Sequence, residues 1–256
     1  MQANLGGKVV LATGSTYGIG KAIALKLAEN GAAVAINGRN PEVGLRVVDE
    51  LTEAGYRAIF ERADITDYTE VKHMVTNVIQ RLGKIDILVA SGGVIGQLLP
   101  NYFHEIPPES YLGLAKAGWL SRLYCIRAVL DHMIERQAGK IILLIGDAGR
   151  VPTPGVSMTG GAHAALVMMT KVLASEFSRW QIRVNGLSMS IVLGTESLQW
   201  ALESPSAKMY KKALERQSFP VNASDIAEAA LFLASDESNP ITGQILSING
   251  GLSFPG

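Results

Sequence analysis

Short, continuously apolar runs alternate along the chain with stretches whose apolar residues recur at a helical period. The run at residues 9–12 ends in a glycine-rich turn, and residues 19–28 then carry apolar residues at helical spacing until Asn30-Gly31 stops them. This reads as strand, loop, helix. Residues 33–36 form a second strand, after which Asn40 caps a helix with Pro41 in its first position and Gly55 just past its end. A third strand over residues 57–62 leads to Asp67-Tyr-Thr-Glu70, a capping-box-like start for a helix with Val71, Met74, Val75, Val78 and Ile79 on one face. Residues 85–90 make strand four; further strands are expected at 140–145, 182–187 and 244–248, with helices over 114–136, 163–178 and 224–234. Strands that are apolar throughout and alternate with helices predict a parallel sheet covered on both faces. The expectation is therefore an α/β chain, a single Rossmann-like, doubly wound domain of about seven strands over residues 1–256. The less regular stretches, residues 96–110 and 193–220, follow strands at the sheet edge where such folds bind ligands, and are expected to wall a substrate pocket. Ordinary surface connections are the alternative.

Composition changes this picture little. With 48% apolar and 18% charged residues, the 256-residue chain can bury a large core within one domain. Lys plus Arg and Asp plus Glu balance at 23 each, so no global field gathers nucleic acid or an acidic membrane surface. A small molecule or another protein is the expected partner. The one cysteine, Cys125, rules out an internal disulfide and, without a Cys/His cluster, no metal site is expected. Residues 1–8 hold no basic segment leading into an apolar one, and no run approaches the roughly 20 apolar residues that span a bilayer. A cytoplasmic protein without a membrane anchor is expected.

The segment Thr13-Gly-Ser-Thr-Tyr-Gly-Ile-Gly20 lies between the first strand and the first helix, where glycine lets the backbone approach a pyrophosphate at a helix N-terminus. Asp64-Ile65 follows strand three, Asp86-Ile-Leu-Val89 lies in strand four, Ile182-Arg-Val-Asn185 in strand six, and Thr242-Gly-Gln244 and Asn249-Gly-Gly251 near the end. In this order the chain resembles the short-chain dehydrogenase/reductase family over nearly its whole length. The resemblance implies that Gly14, Ser15, Gly18, Ile19 and Gly20 shape a pyrophosphate site and that Asp64 and Ile65 border an adenine. A free ribose 2′-hydroxyl is usually held by an acid at the end of strand two, whereas a 2′-phosphate requires positive charge there. Asn37-Gly38-Arg39 stands at that place, so the missing carboxylate and the Arg39 guanidinium favour NADP over NAD.

The family's reaction uses a tyrosine that moves the proton and a lysine four residues later that holds the nicotinamide ribose and lowers the tyrosine pKa. A serine polarises the substrate oxygen, and an asparagine of the preceding long helix completes a water relay. Anchored on Thr170-Lys171 and Ile182-Arg-Val-Asn185, the resemblance puts Thr159 at the tyrosine position and His163 at the lysine position. Thirteen residues before Thr159, Gly146 stands for the serine, a register that Gly139-Lys-Ile-Ile142 supports; Arg127-Ala-Val-Leu130 places Gly118 at the asparagine. The tyrosines are Tyr17, Tyr56, Tyr68, Tyr102, Tyr111, Tyr124 and Tyr210, and none lies between residues 125 and 209. The Tyr-x-x-x-Lys matches that begin at Tyr17 and Tyr68 fall outside the catalytic helix. No phenol is therefore expected beside a nicotinamide. The family's Asn-Asn-Ala-Gly corresponds here to Ala90-Ser91-Gly92-Gly93, and its Pro-Gly to Met189-Ser190.

Two functions compete. The first is a pseudoenzyme, the non-catalytic subunit of an oligomeric NAD(P)-dependent dehydrogenase. It would join a homologous subunit, or itself, in a dimer or tetramer through the helices at 122–133 and 163–178 and the last strand. The same apolar residues packing only the chain's own core is the alternative. The second is an atypical NADP-dependent carbonyl reductase or alcohol dehydrogenase in which His163 or another group replaces the tyrosine. Asp147, Tyr102 and His104 are lesser candidates for that role. No Ser/His/Asp or paired-carboxylate constellation supports non-redox chemistry.

Overall fold

The apolar runs become the strands β1 (Val9–Ala12), β2 (Ala33–Gly38), β3 (Ala58–Arg62), β4 (Ile87–Ala90), β5 (Gly139–Gly146), β6 (Ile182–Met189) and β7 (Ile245–Ile248). They are seen in a computed structural model that describes residues 3–92, 101–203 and 207–255. The strands pair in parallel in the order β3-β2-β1-β4-β5-β6-β7. Chain order reverses between β1 and β4, where Val10 lies opposite Ile87, and this switch point opens a crevice at the C-terminal ends of the strands.

Helices α1 (Gly18–Glu29), α2 (Pro41–Glu53) and α9 (Ala223–Ala234) cover one face; α3 (Tyr68–Leu82), α5 (Ser121–Arg136) and α6 (Ser157–Phe177) cover the other. Because side chains alternate along a strand, Val10, Ala12, Val34 and Ile36 join the first layer while Val9, Leu11, Ala33 and Ala35 join the second. Each fully buried Val, Leu or Ile contributes about 1.5–3 kcal/mol, which is why these strands tolerate no polar face. The expected caps are in place. Asn40 Oδ1 accepts from the N–H groups of Glu42 and Val43, and Asp67 Oδ1 from those of Thr69 and Glu70.

Three expectations need correction. Residues 193–220 are not irregular: α7 (Glu196–Glu203) and α8 (Ala207–Arg216) occupy them. Helix α6 starts at Ser157 rather than His163, and its first turns bring Gly160 against Ala148, whose carbonyl oxygen is 3.0 Å from where a Cβ would stand. The helix ahead of β5 starts at Tyr111 as α4 (Tyr111–Ala115), passes through a π turn at Lys116–Leu120 and continues as α5. Within the other expected wall, residues 101–110 hold two short 3-10 turns, and 96–100 lie outside the described residues. Among the described residues no helix is long and apolar enough to cross a membrane.

Candidate functional site

A cleft of about 350 Å³ opens at the switch point. Gly14, Gly18, Ile19 and Gly20 line it beside Arg39, Asp64 and Ile65 at one end, and Gly146, Thr159 and His163 line it at the other. The Thr13 hydroxyl donates to Ser91 O (2.7 Å) and accepts from the Ser91 N–H (3.0 Å), clamping the turns after β1 and β4 together. Gly14 has φ +55°, and a Cβ on it would lie 2.9 Å from Gly92 N, so only glycine permits this approach. Ser15 does not line the cleft; its hydroxyl donates to Ala12 O (2.6 Å) and accepts from the Asn37 N–H (3.1 Å). Asn37 Oδ1 in turn accepts from the Gly14 N–H, and its amide donates to Glu61 O and Ala63 O.

These residues fit a dinucleotide. Tyr17 precedes α1 without a side-chain cap and no acid occupies the first turn, so the helix N-terminus faces the cleft with its N–H groups unclaimed by side chains. Arg39 is exposed at the rim. Glu196 Oε2, from α7, is buried without a partner among the described residues, an unmet acceptor for a ligand N–H or O–H. Burial pushes the Asp64 carboxyl up, but the Thr66 N–H and hydroxyl, with Arg39 and Lys116, hold it below the usual carboxylate range.

At the other end, His163 Nδ1 accepts from the Gly146 N–H, which leaves the ring proton on Nε2. Burial, then the Arg122 charge, push its pKa down to about 4 against that bond. Near neutrality the imidazole is therefore uncharged. A Cβ on Gly146 would come within 2.8 Å of His163 Cε1, so the ring fills the room that a serine needs. Gly118 does not line the cleft; its carbonyl accepts from Arg122 Nη1 at 3.1 Å. Among the described residues two phenols line the cleft, Tyr17 from the glycine loop and Tyr210 from the expected 193–220 wall. Tyr17 stands edge-on to Trp200, with centroids 6.1 Å apart, and Tyr210 enters from α8 with its pKa raised by burial.

A family model described as enoyl-(acyl carrier protein) reductase matches residues 14–253. The chain belongs to the short-chain dehydrogenase/reductase family. A 2,3-dihydro-2,3-dihydroxybenzoate dehydrogenase of Bacillus subtilis is 32% identical over 258 residues, covering 97% of both chains. The (2S)-[(R)-hydroxy(phenyl)methyl]succinyl-CoA dehydrogenase subunit BbsD of Thauera aromatica is 32% identical over 252 residues, covering 96% of this chain and 97% of that one. Among solved structures, a 7α-hydroxysteroid dehydrogenase complexed with NADH and 7-oxo glycochenodeoxycholic acid matches with TM-score 0.90 and 30% identity, over 98% of this chain and 96% of that one. A gluconate 5-dehydrogenase from Burkholderia cenocepacia in complex with NADP and tartrate matches with TM-score 0.89 and 28% identity, over 98% of this chain and 97% of that one.

Within this short-chain dehydrogenase/reductase chain, the lesser candidates fall away from the cleft. Tyr102 and His104 stack on each other, 6.1 Å apart, and are exposed. Asp147 is buried among Ser188, Ser190, Arg150, Asn249 and Ser253, whose donors occupy its two oxygens. Sequence reasoning missed Tyr210, Arg122 and Glu196. Tyr210 had a signal: Met209, Tyr210, Ala213 and Leu214 share a helical face in an otherwise charged segment. Arg122 had one too, a charge on the stripe of Cys125, Ile126, Val129 and Met133.

His163 makes stability pH-dependent. Folded, it takes up its proton near pH 4; unfolded, near pH ~6.5. The unfolded chain binds more protons between these values, so His163's contribution is complete above pH ~6.5 and falls as pH drops toward 4, by about 3 kcal/mol in all. Denaturant unfolding from pH 7 to 4.5 is expected to show a flatter loss of stability in His163→Gln than in the native chain. Parallel curves would refute the assignment.

Proposed function

We propose that this chain is a cytoplasmic, NADP-binding, hydride-incompetent subunit that works beside a catalytically complete homologue or in an oligomer of its own. One observation carries the reading. The wall at Gly146, Thr159 and His163 holds no cation on α6 and no activated phenol, and His163 is neutral and tied to the Gly146 backbone. NADP, when bound, supplies hydride chemistry. On this chain's side, the N-terminus of α1 would hold the pyrophosphate, Arg39 the 2′-phosphate, and Asp64 with Ile65 the adenine. Thr159 offers only an aliphatic hydroxyl, a far weaker acid than a lysine-activated phenol, and loss of a positioned general acid costs about 10²–10⁴ in rate. That a relative is named as a subunit of a dehydrogenase accords with a multi-chain setting.

The test is NADPH binding by fluorescence on the purified chain, then carbonyl reduction with and without a co-expressed homologue. Nucleotide binding with turnover only in the mixture is expected; turnover by the lone chain would overturn the reading. Arg39→Ala is expected to weaken NADPH by about tenfold while leaving NADH within about twofold, the discount for an exposed guanidinium included. Equal losses for both nucleotides would remove the NADP preference.

A second reading has one observation behind it. Tyr210 reaches the cleft, so it, rather than the neutral His163, is the proton donor of an atypical reductase. Burial raises the phenol's pKa where the family's lysine would lower it, which makes Tyr210 a slow acid. Tyr210→Phe separates the readings, because turnover by the lone chain that collapses in this variant supports only the second.

A further inference from the structure

We propose that Arg122 anchors an anion subsite at the reaction end of the cleft, made to hold the carboxylate of an organic acid. Arg122 is 6% exposed, lies on the inward stripe of α5 and lines the cleft. Only Nη1 is engaged, by Ala117 O (2.8 Å), Gly118 O (3.1 Å) and Ser121 Oγ (3.4 Å). Nε is buried with no partner, and Nη2 makes no bond among the described residues. An unpaired buried cation is costly unless a counter-charge reaches it.

Among the described residues no acid supplies that counter-charge. The nearby Cys125 thiol is pushed up to about 12 by burial and stays neutral. The acids that line the cleft sit at its nucleotide end, Asp64 beside Arg39 and Glu196 with Oε2 3.4 Å from where a Gly18 Cβ would stand. Residues 93–100 and 204–206, outside the described set, read GVIGQLLP and SPS and contain no acid.

The unpaired Nε–Nη2 edge is the side of a guanidinium that meets a carboxylate with two parallel bonds. In the same cleft, His163 Nε2–H is a second, uncharged donor, and Leu144, Met189 and Tyr210 also line it and offer apolar surface to an organic body. The cleft has thus exchanged the lysine of α6 for an arginine of α5 set to bind charge rather than to move a proton. This deepens the reading of a hydride-incompetent site and rests on it for what happens at His163; the anion contact itself requires no nucleotide.

Benzoate and its neutral isostere benzamide, titrated calorimetrically into the full chain with and without NADPH, test the subsite. Benzoate is expected to bind the native chain at least about tenfold more tightly than benzamide, the discrimination to vanish in Arg122→Gln and part of it to return in Arg122→Lys. Thermal unfolding of the ligand-free Arg122→Gln chain is expected at or above the native temperature, since an unpaired buried charge is gone. Equal binding of the two probes by the native chain, or no benzoate binding up to about 10 mM, overturns the proposal whether or not either variant folds. So does an Arg122→Gln chain that loses NADPH but keeps benzoate, because Arg122 then serves the nucleotide. Failure of the hydride-incompetent reading shows itself separately, as ketone turnover by the lone chain, and leaves the nucleotide-free titrations readable.

Discussion

Installing Gly146→Ser, Thr159→Tyr and His163→Lys together is expected to raise NADPH-dependent reduction of an activated aryl ketone by about 10²–10⁴-fold over the native chain. The three positions already line one cleft with the glycine loop, so the substitutions return a polarising hydroxyl, an acid and a cation to one wall. The order of introduction matters. A Cβ on Gly146 meets the His163 ring, so Gly146→Ser alone should destabilise by about 1–3 kcal/mol, as overpacked sites do. His163→Lys removes the ring and should cancel most of that loss, a coupling that a double-mutant cycle of unfolding free energies measures. Arg122 stays close to the new lysine and would hold its pKa down by repulsion, which favours pairing Arg122→Gln with the triple variant. A triple variant that folds and binds NADPH yet gains no turnover would show that these positions are not what limits the chain.

Much of this was legible in the sequence, and the reasons are local. Strands β1, β2, β4, β5 and β6 announce themselves because both faces are covered, which forces mostly apolar runs; α2 and α3 do so because Asn40 and Asp67 cap them. The register that brought Gly146, Thr159 and His163 to one wall came from matched segments on either side. What stayed hidden depends on tertiary placement. Helix α8 is charged on most of its surface and lies beyond Ser204-Pro-Ser206, so it read as an irregular wall of the substrate pocket, and Tyr210 was not singled out within it. Arg122 entered the sequence reading only as the start of a helix offered for subunit contacts, whereas the π turn before it leaves the Ala117 and Gly118 carbonyls for its Nη1 and the side chain is buried. Ser15 belongs to the glycine motif by sequence, yet its hydroxyl ties β1 to β2 instead of facing the cleft.

Asp147→Ala is expected to cost about 3–5 kcal/mol, the loss that follows when one partner of a buried charged network is removed. The carboxylate stands next to Gly146, which made it a candidate proton carrier, but its surroundings make it structural. Oδ1 accepts from Ser188 Oγ (2.9 Å) and Arg150 Nη2 (3.2 Å), and Oδ2 accepts from Asn249 Nδ2 (2.8 Å), Ser190 Oγ (3.2 Å) and Ser253 Oγ. These bonds join the end of β5 to β6 and to the segment after β7. Alanine would remove one of the two acceptors of Arg150 Nη2, leaving Ser247 Oγ (2.6 Å), and one of the partners of Ser253 Oγ, which keeps Asn249 Nδ2. Burial alone would raise the Asp147 pKa, yet the bonds from Ser253, Asn249, Ser188 and Arg150 hold it below the usual range. Its contribution is therefore complete above pH ~3.9 and lost as pH falls through the lower folded-state value. For a chain of this size the alanine variant should melt on the order of 10 °C lower. Asp147→Asn should fall between, since the amide keeps one acceptor and adds two donors among groups that already donate. NADPH affinity of the folded Asn variant should stay within about twofold of native, because Asp147 does not line the cleft. A native melting temperature joined to lost nucleotide or benzoate binding would return Asp147 to the functional site.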